Sequence, residues 1–394
     1  VRFAFTEAQD EFRAEVREFL RSEIEAGVFS VQCGDLIRPG SREFSRKMAE
    51  RGWIGMTWPR EYGGRGRPYV EKAILMEELL RVQAPIGYHF LADRQVGPAL
   101  IHFGSDWQKE HFLPRIVRAD PGVAFCLLFS EPNAGSDLAG VTTTAVRDGD
   151  DYIVNGQKVW TSAAHAADFG WLLAKTDLDP AAGRYESASE FIVDMKTPGI
   201  TVRPIVNMAG QSNFNEVFFE DARIPAKCLV GEENAGFKQI MAQMDYERAG
   251  LERLMQNFPL FERLKQHLRD KALSDEPEGF RAWARDQVAQ LEIEYGIGRL
   301  LCYHTAWTID QGQKPTTQAA MCKAFCTQYE QRVNDVASKI LGPVCQIRGG
   351  APWSVLGGDV AESLLWGPSY TLQGGSVEVL KNIVALRGLG LPRK

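Results

Sequence analysis

The sequence has no run of about 18 consecutive apolar residues, so it offers no candidate membrane-spanning helix. It has no excess of basic charge either. Its 45 Lys and Arg stand against 51 Asp and Glu, a net charge of −6, which argues against nucleic acid as a partner. Its seven cysteines, at 33, 126, 228, 302, 322, 326 and 345, are odd in number and form no C-x-x-C pair. That excludes a disulfide framework and the usual zinc spacing. Cys322 and Cys326 fall on one helix face at i,i+4 and read as core thiols rather than ligands. The six histidines form no H-E-x-x-H or similar cluster, His165 and His304 read as structural, and no metal is expected. Internal repeats and low-complexity segments are absent.

What is present is ordinary globular composition: 394 residues, 44% apolar and 24% charged, enough for two or three domains. Near the N-terminus Phe3, Phe5, Phe12, Val16, Phe19 and Leu20 stand among Glu and Arg. That spacing predicts an amphipathic helix rather than a signal peptide, and a cytoplasmic protein. Thr6 predicts the helix cap, Val70–Val82 a further helix, and His102-Phe-Gly104 a helix end followed by a cap at Asp106. Pro59–Pro68 and Arg94–Pro98 read as loops. From about 122 to 235 the pattern changes to short alternating runs: Val141–Val146, Tyr152–Val154, Phe169–Lys175, Phe191–Asp194 and Glu216–Glu220. Asp148–Asp151, Asp179-Pro180, Thr197–Gly199 and Ile224-Pro225 separate them. Such a module suggests a β-barrel or sandwich. Helical periodicity returns after 236, broken at Ser274–Gly279 and at Leu341-Gly-Pro343.

Two segments in the β region carry chemistry. Phe129-Ser-Glu-Pro-Asn-Ala-Gly-Ser-Asp137 is turn chemistry that offers backbone N–H groups and the Ser136 hydroxyl to a phosphate. In Gly156-Gln-Lys-Val-Trp-Thr-Ser162, Trp160 supplies a flat apolar face, with hydroxyls at Thr161 and Ser162. Together they resemble the flavin-binding signatures of the acyl-CoA dehydrogenase family. Ile224–Phe237 resembles the family's exit from its β domain. Gln373-Gly-Gly-Ser-Val-Glu-Val-Leu-Lys-Asn382 and Leu389-Gly-Leu-Pro-Arg393 resemble its C-terminal signature. The resemblance covers nearly the whole chain. It implies an α+β fold with an N-terminal helical domain (1–121), a middle β-barrel domain (122–235) and a C-terminal helical bundle (236–394).

The resemblance also implies FAD, lying between the β domain and the C-terminal helices. Phe129, Ser130, Trp160 and Ser162 match positions around the flavin ring, Gly135 and Ser136 positions near the pyrophosphate. Ser376 and Glu378 match positions approaching from the C-terminal segment, although Ser376 alone also reads as a helix cap. The family reaction removes a proton α to a thioester and a hydride from the β carbon, and needs a carboxylate made more basic by burial. Most relatives place that Glu where this chain has Gly374, which supplies no base. A minority, the isovaleryl- and long-chain-type members, place it on the first helix after the β domain. Glu247, in Met244-Asp-Tyr-Glu-Arg-Ala-Gly250, matches that position. Arg248 is then expected to fix the local site geometry or to sit at the substrate, Asp245 as a cap or pairing group, and the Gly374 backbone as a donor to the thioester oxygen.

Two family features are missing. Arg269–Asp275 has no Arg-x-x-Phe-Gly, leaving Arg269 or Lys271 as a point charge for the pyrophosphate, and Lys339–Pro343 replaces Gln-x-x-Gly-Gly. The implied function is α,β-dehydrogenation of an acyl-CoA, with an electron-transferring flavoprotein as acceptor and a homotetramer, dimer or hetero-oligomer as assembly. Gly374 leaves room for branched, cyclic or bulky acyl groups. An acyl-CoA oxidase or flavin monooxygenase on the same fold, and a non-catalytic partner subunit of a heteromeric dehydrogenase, are the alternatives.

Overall fold

In the computed structural model the described residues are 4–31, 40–247, 250–270 and 276–393, with the side chains of 245–247 outside the description. Along the chain the helices are α1 (Glu7–Glu25), α2 (Arg42–Glu50), α3 (Tyr69–Arg81), α4 (Gly87–Leu91), α5 (Gly97–Phe103), α6 (Asp106–Val117), α7 (Gly236–Glu247), α8 (Phe258–Asp270), α9 (Glu278–Asp310), α10 (Thr316–Leu341), α11 (Asp359–Tyr370) and α12 (Val377–Ile383). Between α6 and α7 run β1 (Phe125–Leu128), β2 (Thr144–Asp148), β3 (Asp151–Ser162), β4 (Phe169–Lys175), β5 (Ala188–Asp194), β6 (Ile200–Ile205), β7 (Phe214–Pro225) and β8 (Leu229–Val230). No helix among the described residues is long and apolar enough to cross a membrane.

The chain divides into two units. One comprises Val1–Leu36, Pro68–Ala84 and Arg248–Lys394, and the other Ile37–Arg67 and Pro85–Glu247.

In the first unit Thr6 caps α1 through a capping box with Gln9, and Phe12, Val16, Phe19 and Leu20 form its buried stripe. α1, α3 and α9 meet around Glu77, which is fully buried. Its carboxylate accepts from Arg13 (2.7 Å), Arg299 (2.6 Å) and the Tyr303 hydroxyl (2.6 Å). Burial alone would raise its pKa, but the Arg299, Tyr303 and Arg13 partners bring it down to about 2. On α10, buried Glu330 accepts the backbone N–H groups of Gln256 and Asn257 at the start of α8, both at 2.9 Å.

In the second unit the strands form one sheet in the order β6-β7-β3-β2-β4-β5-β8, and β1 pairs in parallel with β4. This corrects the expected barrel: among the described residues the end strands β6 and β8 do not pair with each other, so the sheet is open. Its weak seam is between β2 and β4, which share the single pair Thr144↔Lys175, because β1 occupies the rest of that side of β4. One face buries Tyr152, Val154, Leu172, Phe191, Val217 and Phe219 in an apolar core. Two other expectations change. Arg94–Pro98 is helical, a π-helical turn (Ala92–Val96) running into α5, where Pro98 occupies a first-turn position that needs no N–H. The cap of α6 is Ser105, in a capping box with Gln108, one residue before the expected Asp106.

Candidate active site

The first site segment follows β1. Glu131 and Ala134 exchange both backbone hydrogen bonds, 2.9 and 3.1 Å, closing a tight turn around Pro132-Asn133. Glu131 itself is buried. Its carboxylate accepts from Thr142 N–H (2.6 Å), the Thr142 hydroxyl (2.7 Å), Thr143 N–H (2.9 Å) and the Lys158 ammonium (2.8 Å). Lys158 has no exposed surface and also donates to the Phe129 carbonyl at 3.1 Å. Burial raises the Glu131 pKa, and Lys158 with the two threonines outweighs it, leaving the carboxyl at about 2. Burial lowers Lys158 to about 8 against the pull of Glu131. Both shifts act on one buried ion pair. Both leave it ionised at neutral pH, and the desolvation cost makes its net worth small. Its effect is positional, since it ties the turn to β3.

The second segment is the end of β3. Between Lys158 and Thr161 the pairing with β7 shifts register, Lys158 facing Val217 and Thr161 facing Asn215. The extra residue is a bulge. It sets Trp160 in a left-handed conformation (φ 60°) and leaves its ring 60% exposed, edge-on to Phe214 at 6.2 Å. Val159 N–H donates to the Ser130 carbonyl at 2.8 Å, joining the two segments directly. Phe129 packs beside the small core of Ala134, Val141, Leu173, Ala188 and Ile240. Gly135 and Ser136 are exposed, and a Cβ added at Gly135 would meet nothing within 4 Å. Ser162 is half-buried, and Asn215 holds the Thr161 carbonyl at 2.9 Å. The Thr161 hydroxyl is buried and makes no hydrogen bond among the described residues.

The fold thus brings Phe129, Ser130, Gly135, Ser136, Trp160 and Ser162 onto one turn and one bulged strand end. Sequence reading missed Lys158 and Glu131. Their partnership spans 27 positions, and a Lys in a motif carries no sign that it is buried.

A third piece is Glu190 on β5, also missed and fully buried. Its carboxylate accepts from Trp171 Nε1 (2.6 Å), Gln239 Nε2 (2.9 Å) and Gln243 Nε2 (2.9 Å). Burial pushes its pKa up to about 7 against these donors. Gln239 and Gln243 lie four residues apart on α7, so Glu190 seats that helix on the sheet. Glu247 is the last residue of α7. Its side chain, that of Asp245, and all of Arg248 lie outside the described residues, as does Lys271.

In the other unit Gly374 and Gly375 both have positive φ, 66° and 98°. Their turn is held by Lys323 on α10, fully buried, whose ammonium donates to the Gly375 carbonyl at 2.7 Å. A side chain at Gly374 would face the roughly 1–2 kcal/mol penalty of the left-handed region, so the backbone here suits glycine. Ser376 is the N-cap of α12, its hydroxyl accepting from Val379 N–H at 3.4 Å. Glu378 is exposed in the first turn, its pKa lowered by its own backbone N–H and by the Ser376 hydroxyl.

The bulged end of β3 therefore sets a buried hydroxyl, without a partner among the described residues, beside an exposed indole. Family models for the acyl-CoA dehydrogenase N-terminal, middle and C-terminal domains match residues 6–120, 126–222 and 234–389. The chain belongs to the acyl-CoA dehydrogenase family, flavin-dependent oxidoreductases that act on acyl-CoA. It is 33% identical to the acyl-CoA dehydrogenase FadE26 of Mycobacterium tuberculosis, over 100% of this chain and 99% of that one. Among solved structures it resembles the Tcur3481-Tcur3483 steroid ACAD, with a TM-score of 0.88 and 31% identity over the whole of both chains. It also resembles the ChsE4-ChsE5 complex from Mycobacterium tuberculosis, with a TM-score of 0.83 and 31% identity, again covering both chains fully.

Proposed function

We propose that the protein is an FAD-dependent dehydrogenase that converts an acyl-CoA thioester to its trans-2-enoyl-CoA. The observation that carries this reading is the bulged end of β3, where the buried Thr161 hydroxyl has no partner among the described residues and stands beside the exposed Trp160 ring. A flavin fits such a place: its face takes the indole, and its polar edge takes the hydroxyl. Phe129, Ser130 and Ser162 are assigned to the ring, Gly135 and Ser136 to the pyrophosphate, and Ser376 and Glu378 to the cofactor from the C-terminal segment. When bound, FAD supplies the hydride acceptor.

Glu247 is assigned as the base that takes the proton from the α carbon, with Arg248 placing the substrate. The Gly374 N–H is assigned to the thioester oxygen, where it favours charge that builds as the proton leaves. A glycine there also admits bulk near the reacting carbons. That feature and the likeness to a steroid ACAD together support a bulky, polycyclic acyl group. Electrons are assigned to an electron-transferring flavoprotein.

The test is anaerobic titration of the flavin-loaded protein with straight, branched and polycyclic acyl-CoAs, following flavin absorbance. The polycyclic thioester should bleach the flavin fastest. Glu247→Gln should retain flavin and lose reduction by at least about a thousandfold, the scale expected for removal of a positioned base. Near-normal reduction in that variant would sink the assignment. Rapid oxygen consumption without another acceptor would point to an oxidase instead.

A further inference from the structure

The flavin chemistry makes no use of three sulfur atoms in the helical unit. Cys302 on α9 and Cys322 and Cys326 on α10 are buried, at 1%, 0% and 0% exposure. Their Sγ atoms all lie within 4.8 Å of one another, with Cys302–Cys322 at 3.4 Å and Cys322–Cys326 at 3.9 Å. Among the described residues this is the one group of three or more possible ligands drawn so close. Bonds of about 2.3 Å from three thiolates to one ion place the sulfurs roughly 3.8–4.0 Å apart, so the cluster closes on a cation with sulfur shifts of no more than about 1 Å.

The surroundings are shaped to the sulfurs. Gly298 on α9 stands against them: a Cβ there would lie 3.4 Å from the Cys326 sulfur and 2.5 Å from Leu254 Cδ1. The carbonyls of Gly250 and Gly298 face Cys302 and Cys326 at 4.0 Å. Ligation by all three sulfurs releases one proton from each thiol as the metal enters.

We propose that Cys302, Cys322 and Cys326 form a three-sulfur site for a soft d10 cation of the zinc or copper(I) class, clipping α9 to α10. All-thiolate ligation selects such ions over magnesium or calcium. The site is separate from the flavin residues and does not depend on the dehydrogenase reading.

The experiment uses the full chain, expressed with cadmium in the medium so that the ion meets the cysteines before the core closes, and purified under a thiol-free reductant. Metal content per chain is measured by mass spectrometry, and the sulfur-to-cadmium charge-transfer band by ultraviolet absorbance. Wild type and Cys228→Ala, which removes a cysteine outside the cluster, should each hold one cadmium per chain and show the band. Cys322→Ala should lose both, and Cys302→Ala supplies the same reading if Cys322→Ala does not fold. A wild type without cadmium or band would overturn the proposal and leave three packed thiols. So would equal loading in the cluster variants, because the metal would then sit elsewhere.

Discussion

Glu190 shows how a single residue can carry opposite consequences for placement and stability. Its three donors fix α7 to the sheet, yet its burial holds the carboxyl at about 7, above the 4.5 of an ordinary glutamate. A carboxyl whose folded pKa is raised keeps its proton longer in the folded state. Its contribution is therefore intact below about 4.5 and is lost as pH rises through about 7. The loss is about 3 kcal/mol at the shift given, and smaller where the site relaxes. Glu190→Gln should remove that slope. Urea denaturation at several values between pH 4.5 and 8 should show wild type falling relative to the variant, and parallel curves would mean the carboxyl is not buried as described. Glu131 acts in the reverse sense: its folded value of about 2 gives stability present above 4.5 and lost as pH falls through 2.

At the scale of elements, the turn after β1 and the end of β3 depend on the Glu131–Lys158 pair. Lys158→Met should cost about 3 kcal/mol or more, because it leaves a buried carboxylate unpaired. Adding Glu131→Gln should recover much of that, since the pair itself contributes little net. A double-mutant cycle by chemical denaturation measures both, and additive single effects would contradict the coupling. The elements also show what the sequence made legible. α1 was readable from its apolar stripe and Thr6 cap, and β4, a continuous apolar run, spans Phe169–Lys175 as expected. β1, β6 and β8 were not, being short or, like β6, interrupted by a Pro. Arg94–Pro98 misled because Gly-Pro reads as a break, whereas here it continues one helix into another. The turn at Glu131–Ala134 was legible from Pro and Asn. The bulge at Trp160 was not, because pairing register belongs to β7 as much as to β3. Cys322 and Cys326 were placed on one helix face correctly, but Cys302 joins them only through packing of a second helix.

For the molecule as a whole, α9 presents an apolar stripe. Ile293, Ile297, Leu300 and Trp307 are 59%, 43%, 51% and 50% exposed at spacings that keep them on one helix face. Contiguous apolar surface of this kind marks an interface. A second copy of this chain packing on the stripe would cover it. Light scattering after size exclusion should give a mass at least twice that of the 44.0 kDa chain when the partner is present. Ile297→Glu with Leu300→Glu should reduce it to one chain, and an unchanged mass would place the interface elsewhere.

The open sheet described above has a consequence for how the protein avoids sticking to itself. β6 ends the path with an unpaired outer side, the kind of rim along which foreign strands polymerise. That rim carries Arg203 and Pro204 in succession. The arginine lies over Phe218 at 4.6 Å, keeping a charge at the border, and the proline lacks the N–H an incoming strand would need. Fibril-like addition is discouraged there.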